Sequence, residues 1–283
     1  MPRPAYRFNV GELECVVFQT AATTFDVSHG FSTNASPEEV AAVIRAEGRD
    51  PEEYPFIINL LYVKTPEHQF LVDAGVGKSP FDAESDELAN DLQSLGIDPN
   101  AIDSVILTHA HWDHYAGLHN SAGEIALPNA RYFMNKTEWD HCTAEENLAS
   151  AHEKDPNPPY IRSILLPLRE HIHFIEPEAE ILPGIYALAA PGHTVGMIAV
   201  LITSNGEGLL HVADVTHHPF QVEHPDWTLG FDPLQEESGQ TRHRLVERAA
   251  RENLLWLGYH FPFPAIGHVE KDADGFHWQP ITA

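Results

Sequence analysis

The chain has 283 residues, with 42 acidic side chains against 16 basic ones and a formal net charge of −26. A charge of that sign argues against an electrostatic grip on nucleic acid as the main function, and it repels anionic substrates from the bulk surface. No run of eighteen apolar residues occurs, so no membrane-spanning helix is expected, and the length suits a single domain over 1–283 with an ample core.

Residues 1–7 lack an apolar signal-type stretch and a small-residue cleavage site, so a soluble, cytoplasmic protein is expected. Residues 12–20 alternate as an opening strand, with Cys15 as a core residue. Cys142 lies in a polar helical stretch; neither cysteine has a ligand context, and a disulfide between them has little to support it. Residues 22–55 read as an N-terminal insertion. Within it, Ser36-Pro37-Glu38-Glu39 carries a serine cap, a proline at the first helical position and a glutamate three after the cap, predicting a helix to about Glu47. The core resumes at 56–63, turns through Pro66-Glu67-His68 and returns along Phe70-Leu71-Val72 to Asp73-Ala74-Gly75. Residues 82–95 predict a helix with a solvated acidic face.

Residues 103–107 read as a short buried strand. It runs into Thr108-His109-Ala110-His111-Trp112-Asp113-His114, which sets three imidazoles and a carboxylate in six consecutive positions. His109 and His111 are two apart and point the same way in extended backbone. Asp113 and His114 fall where a following helix begins and face a second nearby point, an arrangement suited to two metal ions rather than one. A second stretch, 136–166, reads as a helical insertion broken near 155–159. It is a candidate lid or homodimer element, with plain packing as the alternative.

Further ligands are expected at three places. His193 sits in Ala190-Pro191-Gly192-His193-Thr194-Val195-Gly196, a tight loop between two strand-like runs. Asp214 ends an apolar strand, and His260 follows a long helical segment. That segment, 233–257, is expected to keep Arg242, Arg244, Arg248 and Arg251 on a solvated face balanced by glutamates. Phe220, Trp227, Phe231, Phe261 and Phe263 cluster around Asp214 and His260, and about two of them are expected to wall an apolar pocket. His217-His218 and His268 are either substrate contacts or ordinary turn residues. A hairpin is expected to turn at 272–275.

The series His109-x-His111-x-Asp113-His114, His193, Asp214, His260 resembles that of the metallo-β-lactamase superfamily of dinuclear metallohydrolases. The likeness spans about residues 56–268. Asp214, where zinc β-lactamases of one type use cysteine, and the tail 260–269 look more like the lactonase and methyl-parathion-hydrolase branch. The resemblance implies an α/β four-layer αββα sandwich of two mixed sheets with outer helices. It implies that His109, His111 and His193 hold one metal, that Asp113, His114 and His260 hold the other, and that Asp214 bridges them. Asp73 looks like the superfamily's early Asp-x-Gly element and would steer a ligand histidine, unless it is only a strand-end turn.

Two divalent ions, with zinc foremost and manganese, cobalt or iron as alternatives, would generate hydroxide at neutral pH for attack on a small neutral or apolar lactone or ester. Asp113 would accept and return a proton, Asp214 would fix the metal spacing, and His217 would donate to a developing oxyanion. His217 departs from the lactonase branch, which often carries a tyrosine there. The alternatives are a phosphotriesterase and a mononuclear iron oxygenase or redox protein on the same scaffold.

Overall fold

Two seven-stranded sheets carry the architecture in the computed structural model, which describes residues 3–27, 31–78, 86–149 and 157–282. The first contains, in sheet order, β1 (Ala5–Val10), β2 (Leu13–Phe25), β3 (Tyr54–Lys64), β4 (Gln69–Val72), β5 (Ser104–Leu107), β6 (Arg131–Asn135) and β7 (Ile172–Ile175). Its first four strands are antiparallel; from β4 to β7 the pairing is parallel. The second sheet contains β8 (Glu180–Leu182), β9 (Ile185–Ala189), β10 (Ile198–Ser204), β11 (Glu207–His211), β12 (Leu255–Leu257), β13 (Ile266–Lys271) and β14 (Phe276–Pro280), side by side in sequence order. There only β11 and β12 run parallel.

Alternation along the strands explains the layering. Val17, Leu61, Val63, Val72 and Ile106 turn inward to meet Ile185, Ala187, Val200 and Leu209 of the other sheet. Their neighbours Val16, Phe18, Leu60, Leu71 and Val105 turn outward against Leu88, Leu92, Tyr115, Trp139 and Leu165 of the covering helices. Strands buried on both faces need near-continuous apolar sequence, which is why β3 and β5 read as unbroken runs. On the far side, Leu188, Ala199, Leu201 and Leu210 pack on Leu245, Val246 and Ala249 of the helix Gln235–Glu252. The result is the expected αββα sandwich of mixed sheets.

Several local expectations change. β2 runs to Phe25, carried past a bulge between Gln19 and Ala21, and β3 starts at Tyr54, so both ends of the 22–55 segment are strand. Within that segment the helix Pro37–Ala46 has the complete capping box of Ser36 and Glu39. The 82–95 helix is Leu88–Ser94, with 82–85 outside the described residues. Its acidic face is not wholly solvated, since Asp91 is buried and paired with Arg3 at 3.1 Å.

Among its described residues, the 136–166 stretch forms the short helices Lys136–Cys142, Glu145–Ala149 and Asn157–Tyr160 and a π-helical turn, Ile161–Leu165. Residues 155 and 156 of its expected break lie outside the described residues, and Pro158 and Pro159 sit within a helix. Cys142 is buried, because the first of these helices turns Glu138, Trp139 and Cys142 inward. Both cysteines are free. The 233–257 helix stops at Glu252, where Asn253 takes a left-handed φ of 50°, and its last residues become β12. Arg242 is not on a solvated face: it is 0% exposed.

Candidate metal centre

All the strand ends that bear candidate ligands open on one edge of the sandwich. β5 ends at Leu107 and hands over to Thr108–His111; the short helix Trp112–Tyr115 then carries Asp113 and His114. Asp73, at the end of β4, organises this turn. Its Oδ1 accepts the Thr108 backbone N–H and its Oδ2 the Thr108 hydroxyl, both at 2.8 Å. The same Oδ2 lies 2.8 Å from His114 Nδ1. This fixes the His114 ring so that Nε2 faces the cluster, the steering role rather than a bare turn. The constraint is strong enough to hold Asp73 at φ 62°, a region that non-glycine residues rarely adopt.

His193 lies between β9 and β10 on a loop pressed from both sides. A Cβ on Gly192 would come within 2.3 Å of Ser238 Cα, and one on Gly196 within 2.3 Å of the Glu138 backbone nitrogen. His193 Nδ1 lies 2.9 Å from Asp232 Oδ1, leaving Nε2 toward His111 Nδ1 at 2.8 Å. Asp232 in turn accepts from Ser238 Oγ at 2.7 Å and Arg242 Nη2 at 3.3 Å. The buried Arg242 guanidinium also donates to the carbonyls of Val215, Pro225 and Trp227. One cation thus ties the Asp214 turn, the Trp227 loop and the support of His193 together.

Asp214 is the hub. Its carboxylate lies 3.2 Å from the Nε2 atoms of His114, His193 and His217, 3.4 Å from that of His260 and 3.8 Å from that of His109. Asp113 Oδ2 sits 3.6 Å from His260 Nε2 and 3.9 Å from His114 Nε2. His260 is oriented by its Nδ1, 3.0 Å from the Ile57 carbonyl, and by Phe56 stacked on its ring at 3.9 Å. Tyr259 stacks on His114 at 4.0 Å and donates its hydroxyl to the Asp113 carbonyl at 2.7 Å.

Within this cluster, three sets have ligand atoms within 4.8 Å of one another: His109, His111, His193 and Asp214; Asp113, His114 and His260; Asp214, His217 and His260. Every metal ligand expected from the sequence is therefore in the cluster, whereas His218 packs against Tyr54 and Phe220 and His268 lies in β13. His217, expected as an oxyanion donor or a turn residue, also lies within ligand reach.

The donor set suits cations. His109 Nε2, His114 Nε2, His260 Nε2 and Asp214 Oδ1 are buried and have no hydrogen-bond partner. Each unsatisfied buried polar atom costs about 1–3 kcal/mol, and four converging on one point make a poor apolar core. Imidazole nitrogens and a carboxylate, each steered from behind, are what a divalent ion of the zinc type requires. The residues fit.

Burial pulls the His109 and His111 imidazoles well below their ordinary value, with neighbouring histidines adding to it, so both favour the neutral, ligating form. Burial opposes the charge on His193 too, but Asp214 and Asp232 outweigh it and raise that ring to about 9. Burial likewise works against ionising Asp214, yet His114, His260, His217 and His193 hold it well below the carboxylate range.

Of the aromatics expected at a pocket, Phe231 lies at the site, 5.1 Å from the His217 ring. Phe220 and Phe261 are core residues, Trp227 packs against the core around Phe220, and Phe263 packs against the core between the two sheets; Phe261 and Phe263 also line a separate cavity of about 740 Å³. Phe56 was missed, hidden in an apolar strand run. Asp232 and Glu138 were missed as well: each is a single carboxylate with no repeating pattern around it. A cavity of about 320 Å³ opens beside His111 and His193, walled by Cys142, Pro158, Ile161, Val195, Phe231 and Pro233. Among the described residues no helix is long and apolar enough to cross a membrane.

The chain is similar to known proteins in sequence and fold. The N-acyl homoserine lactonase AiiA of Bacillus thuringiensis subsp. kurstaki is 27% identical over 221 residues, covering 70% of this chain and 78% of that protein. Among solved structures, AidC, a dizinc quorum-quenching lactonase in complex with a product, N-hexnoyl-L-homoserine, superposes with a TM-score of 0.90 at 26% identity, over 100% of this chain and 99% of that one. The hydrolase AbOPH of the beta lactamase superfamily shares the fold, with a TM-score of 0.89 at 20% identity over 99% and 98% of the two chains. The Metallo-beta-lactamase superfamily profile matches residues 54–255, which hold every candidate ligand except His260. The chain is a hydrolase and belongs to the metallo-beta-lactamase superfamily.

Proposed function

We propose that this hydrolase uses a pair of divalent metal ions, zinc foremost, to open the ring of a small neutral lactone of the N-acyl homoserine type. The observation that carries the reading is the convergence of buried, unpartnered ligand atoms around Asp214, in a chain whose relatives are named as lactonases. His109, His111 and His193 would hold one ion, Asp113, His114 and His260 the other, with Asp214 between them. When bound, such a pair would lower the pKa of a water toward ~7 and polarise a carbonyl.

The chain's own residues then have distinct tasks. The Asp113 side chain is the most open of the carboxylates there, 17% exposed against 3% for Asp214, so it can take a proton from the attacking water and return it. The water oxygen bonds to the lactone carbonyl carbon, the ring C–O bond breaks, and the leaving alkoxide takes the proton. His217, between Asp214 and Phe231, donates a hydrogen bond to the oxygen that gains charge. The cavity walled by Ile161, Val195 and Phe231 accepts the acyl chain; its volume of about 320 Å³ lies at the small end for ligand sites.

Side-by-side assays of an acyl-homoserine lactone and an aryl phosphotriester on metal-replete protein test this. Faster turnover of the lactone is expected; a preference for the phosphotriester overturns the substrate class. Elemental analysis showing one iron per chain, with oxygen consumed during turnover, overturns the hydrolytic reading.

A further inference from the structure

We infer that Glu138 is a positioning residue: it fixes the separation of the two loops that carry His109, His111 and His193, and so sets the affinity of that histidine group for a divalent ion. The inference rests on the metal-centre reading above. Glu138 is 1% exposed, on the helix that directly follows β6. Its Oε1 accepts the backbone N–H of Ala110 at 3.0 Å, the residue between His109 and His111. Its Oε2 accepts the backbone N–H of Gly196 at 2.9 Å and the hydroxyl of Thr194, next to His193, at 2.7 Å. One carboxyl group therefore bridges two loops that are remote in sequence.

The neighbouring Asn135 completes the grip by donating to the Gly196 carbonyl at 2.7 Å. Gly196 is thus held at both its N–H and its C=O, and the close approach leaves no space for a Cβ. Asp73 and Asp232 act on imidazole nitrogens. Glu138 touches no ligand ring and acts on the backbone that carries them.

Glu138→Gln is nearly isosteric but carries one acceptor oxygen. Its amide N–H₂ must face a donor at Ala110 or at the Gly196–Thr194 side, so the bridge opens. Parent, Glu138→Gln, Glu138→Asp and Thr194→Val proteins are to be titrated with cobalt(II) against a chelator, recording affinity and the visible absorption of the bound ion, with thermal unfolding measured in parallel. Glu138→Gln is expected to weaken cobalt binding by about 10- to 100-fold and to shift the absorption bands. Glu138→Asp, one methylene short, should fall between it and the parent, and Thr194→Val, losing one of three bonds, should weaken binding a few-fold.

A Glu138→Gln protein with a lowered unfolding temperature but parental cobalt affinity and spectrum overturns the inference. Should that variant fail to fold, parental cobalt affinity and spectrum in Thr194→Val overturn it instead. A parent chain that binds no cobalt would overturn the metal reading itself, a separate result.

Discussion

Asp113 and His111 stand at opposite ends of the cluster and make its sharpest test. His111 Nδ1 lies against His193 Nε2 at 2.8 Å, and Asp113 Oδ2 faces His114 and His260. Neither residue belongs to the sheet core, so each can change without breaking the fold. His111→Ala and Asp113→Asn should both reduce hydrolysis to background while circular dichroism stays parental; full turnover in either would refute the assigned roles. The histidine motif was legible because four potential ligands in six positions have no structural reason to crowd at a strand end. His193 was legible from its Pro-Gly turn between two strand-like runs and Asp214 from its place at the end of an apolar strand, while His260 rested on the order of the ligand series. The supports were not: Glu138, Asp232 and Phe56 act through contacts made only after distant loops meet, and no local pattern marks such contacts.

The helix Gln235–Glu252 shows the same limit among elements. Its charges read as a solvated face, yet Arg242 faces inward and satisfies three carbonyls, Ser238 and Asp232. Breaking a buried pair by removing one partner costs about 3–5 kcal/mol, so Arg242→Ala should lose that much in urea unfolding. A loss below about 1 kcal/mol, the scale of an exposed pair, would show that the guanidinium carries little.

The helix Leu88–Ser94 offers a pH test. Burial raises the carboxyl of Asp91 from 3.8 to about 6, against the pull of Arg3. The folded value is the higher one, so this group's contribution is full below about pH 4 and is lost as pH rises through about 6. Asp91→Asn, which cannot ionise, should therefore gain on the parent by about 1–2 kcal/mol between pH 4 and pH 7, a figure discounted for solvent screening. A difference that stays flat with pH would refute it. Helix ends were the least legible feature: only Asn253, in a left-handed turn, and Leu254 separate the helix Gln235–Glu252 from β12.

At the scale of the whole molecule, two sheets set back to back gather strand ends that lie more than a hundred residues apart in sequence onto one edge. Alternating and unbroken apolar runs foretold the strands, but the stacking of the sheets came from family resemblance rather than from pattern, and the strand order from the structure alone. Charge is the global property that sequence does fix, at −26. That field extends from the surface by about 30 Å at 0.01 M salt and about 8 Å at 0.15 M. A neutral lactone feels little of it, whereas an ester carrying a free carboxylate is repelled on approach. Raising salt from 0.01 to 0.15 M should therefore lift kcat/KM for the anionic ester several-fold and leave the neutral lactone unchanged. Both should be measured on one metal-loaded preparation, so that any effect of salt on metal occupancy cancels in the ratio. If the ratio stays constant, the acidic surface does not select substrates. If it changes as expected, the acid excess acts as a filter for neutral substrates ahead of any contact with Asp214 or His217.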